Sequence, residues 1–136
     1  MLGAGSITGI NVDRFKPDLV QREQMRAKYA VPSDAILLLF IGRLTRDKGV
    51  VDLVDAWAGL PDACGHVHLA IVGPDEDGLL PKIKERVPVE LAGRMHVHGI
   101  TARPWLWHQA ADIVCLPSYR EGLGTVVLEA AATCKP

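Results

Sequence analysis

Cysteine is scarce and badly placed for cross-linking: Cys64, Cys115 and Cys134 are scattered, odd in number and form no Cys-x-x-Cys pair. A disulfide framework is therefore not expected. A reduced, cytosolic environment is the default, with Cys115 an ordinary buried thiol. An excess of either charge is lacking too. Fifteen Lys and Arg face sixteen Asp and Glu, for a net charge of −1, and no basic stripe or charged tail is present. This argues against a nucleic-acid partner and against a polybasic membrane-binding segment. The longest unbroken apolar run, Ala35–Ile41, is far too short to span a bilayer. Met1–Gly5 has no basic start followed by an apolar stretch, so no secretion signal is expected. Internal repeats and low-complexity tracts are also absent.

Core-forming material is plentiful. With 136 residues and 49% hydrophobic content, the chain is one domain's worth and can bury a real core. The first sixteen residues are glycine-rich and irregular. Gly3-Ala4-Gly5 followed by Gly9 approaches a dinucleotide fingerprint, but its third glycine is one position late and no strand precedes it. Residues 1–16 therefore read as a linker or capping arm. Pro17-Asp18 opens a polar helix through about Tyr29, acidic early and basic late, as the helix dipole favours.

Four apolar runs then alternate with helical patterns. Strands are expected at Ile36–Ile41, His66–Val72, Arg94–His98 and Asp112–Leu116. Between them, Val50, Leu53, Val54 and Trp57 form a core-facing helical stripe. A second helix starts near Asp77 or Leu79, and a third covers Arg103–Ala111 with proline in its first turn. Strand and helix in strict alternation imply an α/β, Rossmann-like parallel sheet of about four strands, covered by helices on both faces. Ligands on such sheets bind beyond the carboxyl ends of the strands. The loops Gly42–Gly49, Gly73–Gly78, Gly99–Arg103 and Ser118–Gly124 all hold that position.

The last of these loops carries the strongest chemical signal. Ser118 through Ala132 reads as a glycine-rich turn feeding a helix of good formers. Bare glycines before a helix N-terminus leave unpaired amides open to a phosphate. Glu121 stands at the mouth of the turn, and Glu129 follows eight positions later, about 80° around the helix, so both carboxylates can border one cleft. A glutamate there is also favoured by the dipole alone. Arg43 and Lys48 can complete a diphosphate clamp if the glycine turn holds a phosphate, although taken alone a solvated, charged loop is the favoured reading. The pairs His66/His68 and His96/His98 invite a metal, but no carboxylate or cysteine lies nearby at ligand spacing, and no metal is expected. Trp105 and Trp107 are expected to pack the short helix onto the sheet, with one left for a partner if it faces out, and Gly73–Asp77 to form an exposed acidic turn, the alternative being a lining of the cleft.

Taken together, Gly42-Arg43-Leu44 with Lys48-Gly49, Val72-Gly73-Pro74, Gly99, and Leu116-Pro117-Ser118 through Glu121-Gly122-Leu123-Gly124 to Glu129-Ala130 resemble one family. It is the carboxyl-terminal, donor-binding domain of the retaining glycosyltransferases of family 4, one half of a GT-B fold. The resemblance runs from Val12–Phe15 onward. It implies a nucleoside-diphosphate sugar as donor, with no cofactor. Arg43 and Lys48 would neutralise the diphosphate beside the amides of Gly122, Leu123, Gly124 and Thr125. Glu121 would contact the donor sugar and Glu129 the ribose hydroxyls, while Gly42 and Gly73 would line the donor site. The base would lie near His98, Gly99, Ile100 and Thr101.

The resemblance also sets expectations about what the chain omits. The family continues past Lys135-Pro136 and has an acceptor-binding domain, so residues 17–136 are expected to be an incomplete donor domain, inactive alone. The parent would act in glycan or polysaccharide biosynthesis, in the cytoplasm or peripherally at a membrane. An open sheet edge predicts self-association or a need for a partner. Cys134 replaces the glycine that usually ends the last helix, at about 1–2 kcal/mol if left-handed. A stand-alone nucleotide-binding or assembly module without turnover is the alternative.

Overall fold

The structure, a computed structural model, describes residues 9–122 and 124–136. Residues 1–8, half of the expected arm, and Leu123 of the glycine turn lie outside the described residues. The helix α1 covers Leu19–Lys28, inside the expected Pro17–Tyr29, because Asp18 acts as its N-cap and accepts a hydrogen bond from the Gln21 amide at 3.0 Å. Thereafter come β1 (Ile36–Ile41), α2 (Val50–Ala58), β2 (Val67–Val72), α3 (Leu80–Arg86), β3 (Met95–His98), α4 (Pro104–Ala110), β4 (Ile113–Val114) and α5 (Thr125–Ala132). The start of α3 is set by Asp75, whose carboxylate accepts from the Leu79 and Leu80 amides.

All strand pairs are parallel, in the order β3-β2-β1-β4. The strand β4 is shorter than the expected Asp112–Leu116. Even so, ladder bonds from Asp112 to Leu37 and from Cys115 to Leu39 flank it. Two cores lie on the two faces, and the period-2 rule sorts residues between them. Leu37, Leu39, Ala70 and Val72 face Met25 of α1 and Trp107 of α4. Phe40, Val67, Leu69 and Ile71 face Val54 and Trp57 of α2 and Ile83 of α3. The Arg43–Gly49 loop is then pulled inward by Leu44, which is fully buried in the second core.

The first face also holds a buried cation. Arg26, only 4% exposed, donates to the carbonyls of Ala110, Pro32, Ser33 and Ala35 and pairs with Asp112. Removing such a charge from water costs several kcal/mol, so burial is tolerated only with this density of acceptors. Burial alone would raise the Asp112 carboxyl. Its bonds from the Leu37 amide and Arg22, with the charges of Arg26 and Arg22, instead hold it below the ordinary carboxylate range. Arg22 further donates to the carbonyls of Gln109, Ala110 and Ala111, which clamps α1 to the end of α4.

Cys134 is left-handed, with φ 56°, as expected of a residue in the glycine position. Its amide donates to Ala131 and that of Lys135 to Ala130, the bond pattern of a Schellman cap. Ala30 ends α1 the same way at φ 53°. Beyond the cap, the Pro136 carbonyl accepts from the Val114 amide at 2.8 Å and so lies along β4. No helix among the described residues is long and apolar enough to cross a membrane.

Candidate functional site

The strand order places a topological switch between β1 and β4. The chain leaves β1 towards β2 on one side and later reaches β4 on the other, and the crevice opened at such a point is where ligands of parallel sheets bind. A cleft of about 260 Å3 sits there, lined among others by Gly42 beyond β1, by Lys48, Glu121 and Gly124, and by Thr125 and Val126 of α5.

Backbone contacts build this cleft from two distant loops. Gly49 ends the 3₁₀ turn Arg46–Lys48 at φ 66° and lies so close to Pro117 that an added Cβ would stand 2.2 Å from its carbonyl oxygen. The Tyr119 amide donates to the Asp47 carbonyl at 2.9 Å, and the Tyr119 hydroxyl donates to Asp52 at 2.5 Å. With the loops joined, Lys48 Nζ donates to Glu121 Oε1 at 2.5 Å, and Ser118 Oγ donates to the same oxygen at 2.9 Å. Both groups are only partly exposed, 19% for Lys48 and 25% for Glu121. The bond from Lys48, then that from Ser118, hold the Glu121 carboxyl below its ordinary range. Glu121 is therefore an anion at neutral pH, able to accept hydrogen bonds and not to give them. Beside it, Gly124 precedes α5 and gives it no side-chain cap, and Thr125 and Val126 of its first turn line the cleft, so the first amides have no side-chain partner.

Arg43 does not join Lys48 in this cleft. It turns to Glu76, 3.1 Å away, in a well-exposed pair of the sort that contributes little. It lines an adjoining cleft of about 220 Å3 with Gly73, Ile100 and Thr101, and the two clefts share Ile41 and Gly42. Gly73 packs against Gly42 more tightly still: a Cβ on Gly73 would meet the Gly42 carbonyl oxygen at 1.8 Å. The Gly42 amide donates to Val72, and the Gly73 amide to His98, so the ends of β1, β2 and β3 form a continuous rim. Glu76 and Asp77 of the acidic turn serve that rim, Asp77 accepting from the Arg46 amide at 2.9 Å.

The histidine pairs separate. His66 is exposed, whereas His68 and His96 stack with ring planes 7° apart and Nδ1 3.0 Å from Nε2. Burial pushes both rings below the ordinary imidazole range, and the neighbouring charges of His96 and Arg94 add to this for His68. His98 stands at the rim against Tyr29 and Trp107, beside Gly99 and Ile100. Among the described residues no three His, Cys, Asp or Glu side chains are grouped to hold a metal.

Glu129 does not line the Lys48 cleft; its Oε2 lies 3.1 Å from Nε2 of His108. His108 is a residue that sequence reasoning missed. The available signal was a polar side chain on the aromatic face of a short buried helix, which needs a partner. Trp105 and Trp107 drew attention instead. Trp107 is buried as expected, and Trp105 packs on Phe15 and under Arg14.

Comparison with known proteins agrees with this architecture. TuaC of Bacillus subtilis, a glycosyltransferase whose name assigns it to teichuronic acid biosynthesis, is 34% identical over 128 residues, covering 94% of this chain and 30% of TuaC. The D-inositol 3-phosphate glycosyltransferase of Streptomyces griseus is 33% identical, over 94% of this chain and 32% of that protein. Among solved structures, Anabaena HepE with UDP-glucose superposes with a TM-score of 0.83 at 25% identity, over 94% of this chain and 35% of HepE. The chain thus spans about a third of the length of the curated relatives it matches. The family model described as glycosyl transferases group 1 matches residues 21–136, and the chain belongs to that family.

Proposed function

We propose that this chain is the donor-binding domain of a retaining, family 4 glycosyltransferase that moves a sugar from a nucleoside-diphosphate sugar to an acceptor. The observation that carries the reading is the Lys48–Glu121 pair at the switch point, beside the uncapped start of α5. Residues 17–136 form the nucleotide-sugar domain and residues 1–16 the arm that precedes it. UDP-glucose bound to HepE and the biosynthetic role in TuaC's name support a nucleotide-sugar donor and a place in polysaccharide assembly; we take the cytoplasm as its location.

Departure of a nucleoside diphosphate leaves negative charge on its terminal phosphate. Lys48 and the α5 amides lie where fixed positive potential would stabilise that charge as it develops. Arg43 reaches the same group by exchanging Glu76 for phosphate, which costs little because their pair is exposed. Glu121, ionised and held by Lys48 and Ser118, orients the sugar by accepting from its hydroxyls. Glu129 takes the ribose hydroxyls, and the rim at His98–Thr101 takes the base. Glycosyl transfer needs an acceptor site closed over the donor. We take residues 17–136 by themselves to bind donor nucleotide without turnover.

Calorimetric titration with UDP and GDP tests this. Saturable binding to one of them, weakened about tenfold by Arg43→Ala and by Glu129→Ala, is the expected result. No heat with either nucleotide, or variants that bind like the wild type, removes the donor-site assignment.

A further inference from the structure

We infer that His108 is a positioning residue, which fixes the Glu129 carboxylate for the ribose of the bound nucleotide. The inference rests on the proposed role of Glu129 and adds to it a residue outside the cleft.

His108 is fully buried in α4, with the Phe15 ring packed edge-on against it at 5.5 Å. Its Nε2 is 3.1 Å from Glu129 Oε2, and its Nδ1 has no hydrogen-bond partner among the described residues. Every polar contact of the ring is thus with one carboxylate oxygen. A carboxylate oxygen accepts, so the Nε2 that faces it carries the proton, and Nδ1 is left without a partner. A buried unpaired polar atom is unfavourable, and a leucine or phenylalanine would fill the same space without it. What histidine supplies there, and an apolar residue cannot, is an N–H aimed at Glu129.

The support behind His108 is itself clamped. The next residue, Gln109, donates to the Arg14 and Lys16 carbonyls, and Arg22 holds the carbonyls at the end of α4. A glutamate on α5 has three rotatable side-chain bonds. Pinned at Oε2, it keeps Oε1 for a ligand: Oε1 makes no hydrogen bond among the described residues, and the side chain stays 17% exposed. A pre-oriented acceptor loses less conformational freedom when a hydroxyl arrives.

The test compares UDP and GDP with their 2′,3′-dideoxy counterparts by calorimetry on the 136-residue chain. The wild type should prefer the ribonucleotide by about tenfold, and Glu129→Ala should bring the ratio near one. His108→Gln, whose amide nitrogen falls near the Nε2 position, should keep most of the preference. His108→Asn, whose amide reaches only the Nδ1 position, should lose it. A merely structural tie between α4 and α5 would alter the stability of both variants and leave the ratio alone. An unchanged ratio in His108→Asn, with Glu129→Ala collapsed, overturns the role of His108 but not that of Glu129. A wild-type ratio near one overturns both. If neither histidine variant folds, nitrogen-15 spectra of the wild-type imidazole decide. An Nε2–H tautomer whose proton signal moves on adding nucleotide supports the inference. An Nδ1–H tautomer, or a signal that stays put, overturns it.

Discussion

Lys48→Met is expected to weaken binding of a nucleoside diphosphate by about tenfold to a hundredfold while leaving the fold intact. The two effects separate by magnitude. A partly exposed ion pair such as Lys48–Glu121 contributes at most about 1 kcal/mol to folding. A charge-assisted hydrogen bond to phosphate contributes about 1.5–3 kcal/mol to binding, which is the stated range of affinity. The substitution has a second consequence, because it leaves Glu121 unpaired beside the incoming phosphate. Adding Glu121→Gln to Lys48→Met should therefore recover part of the lost affinity. Calorimetry on the three variants measures the coupling. Additive losses would mean that the pair does not share a site with the diphosphate.

Gly49→Ala is expected to destabilise the chain by about 3 kcal/mol or more and to abolish nucleotide binding. A left-handed alanine costs about 1–2 kcal/mol. Here its Cβ would also stand 2.2 Å from a backbone oxygen of Pro117, which has no flexible side chain to swing aside. Relief requires the loop before α5 to withdraw from the loop before α2, and the Tyr119–Asp47 and Lys48–Glu121 contacts depend on that approach. Gly122→Ala is the matched control for stability, since its Cβ would meet nothing within 4 Å. Denaturant unfolding should place Gly122→Ala within about 0.5 kcal/mol of the wild type. Equal stability for the two substitutions would mean that the loops are not joined at Gly49.

The parts of this molecule that sequence reading reached are those governed by local chemistry. Apolar runs of strand length, the opening of α1 at Asp18 and the glycine-marked strand ends each follow from a few neighbouring residues. They were enough to place every loop of the rim at the carboxyl end of a strand. What stayed hidden depends on contacts between distant segments. The strand order is one such case, since Ile36–Ile41 can pair with any other run until the crossovers are fixed. Nothing in the polar helix itself ties Arg22 and Arg26 to Asp112, which lies more than eighty positions away. Arg43 and Lys48 were read as completing one clamp, yet with Leu44 buried between them one pairs with Glu76 and the other with Glu121. Glu121 and Glu129 were read as bordering one cleft, whereas the second turns towards α4 to meet His108.

A fixed cation and uncapped helix amides at the β1/β4 switch point, offered to a diphosphate, are the centre of this account. Mapping backbone amide shifts by NMR during titration with UDP or GDP tests it most directly. A second cavity, about 450 Å3, provides an internal competitor, because it lies by Trp57, Leu91 and Arg94 at the amino ends of β2 and β3. The account predicts that Gly42, Lys48, Gly122, Gly124 and Thr125 shift together at saturating nucleotide while Trp57, Leu91 and Arg94 do not. Shifts gathered around Trp57 and Arg94, with the amides at the start of α5 unmoved, would contradict it.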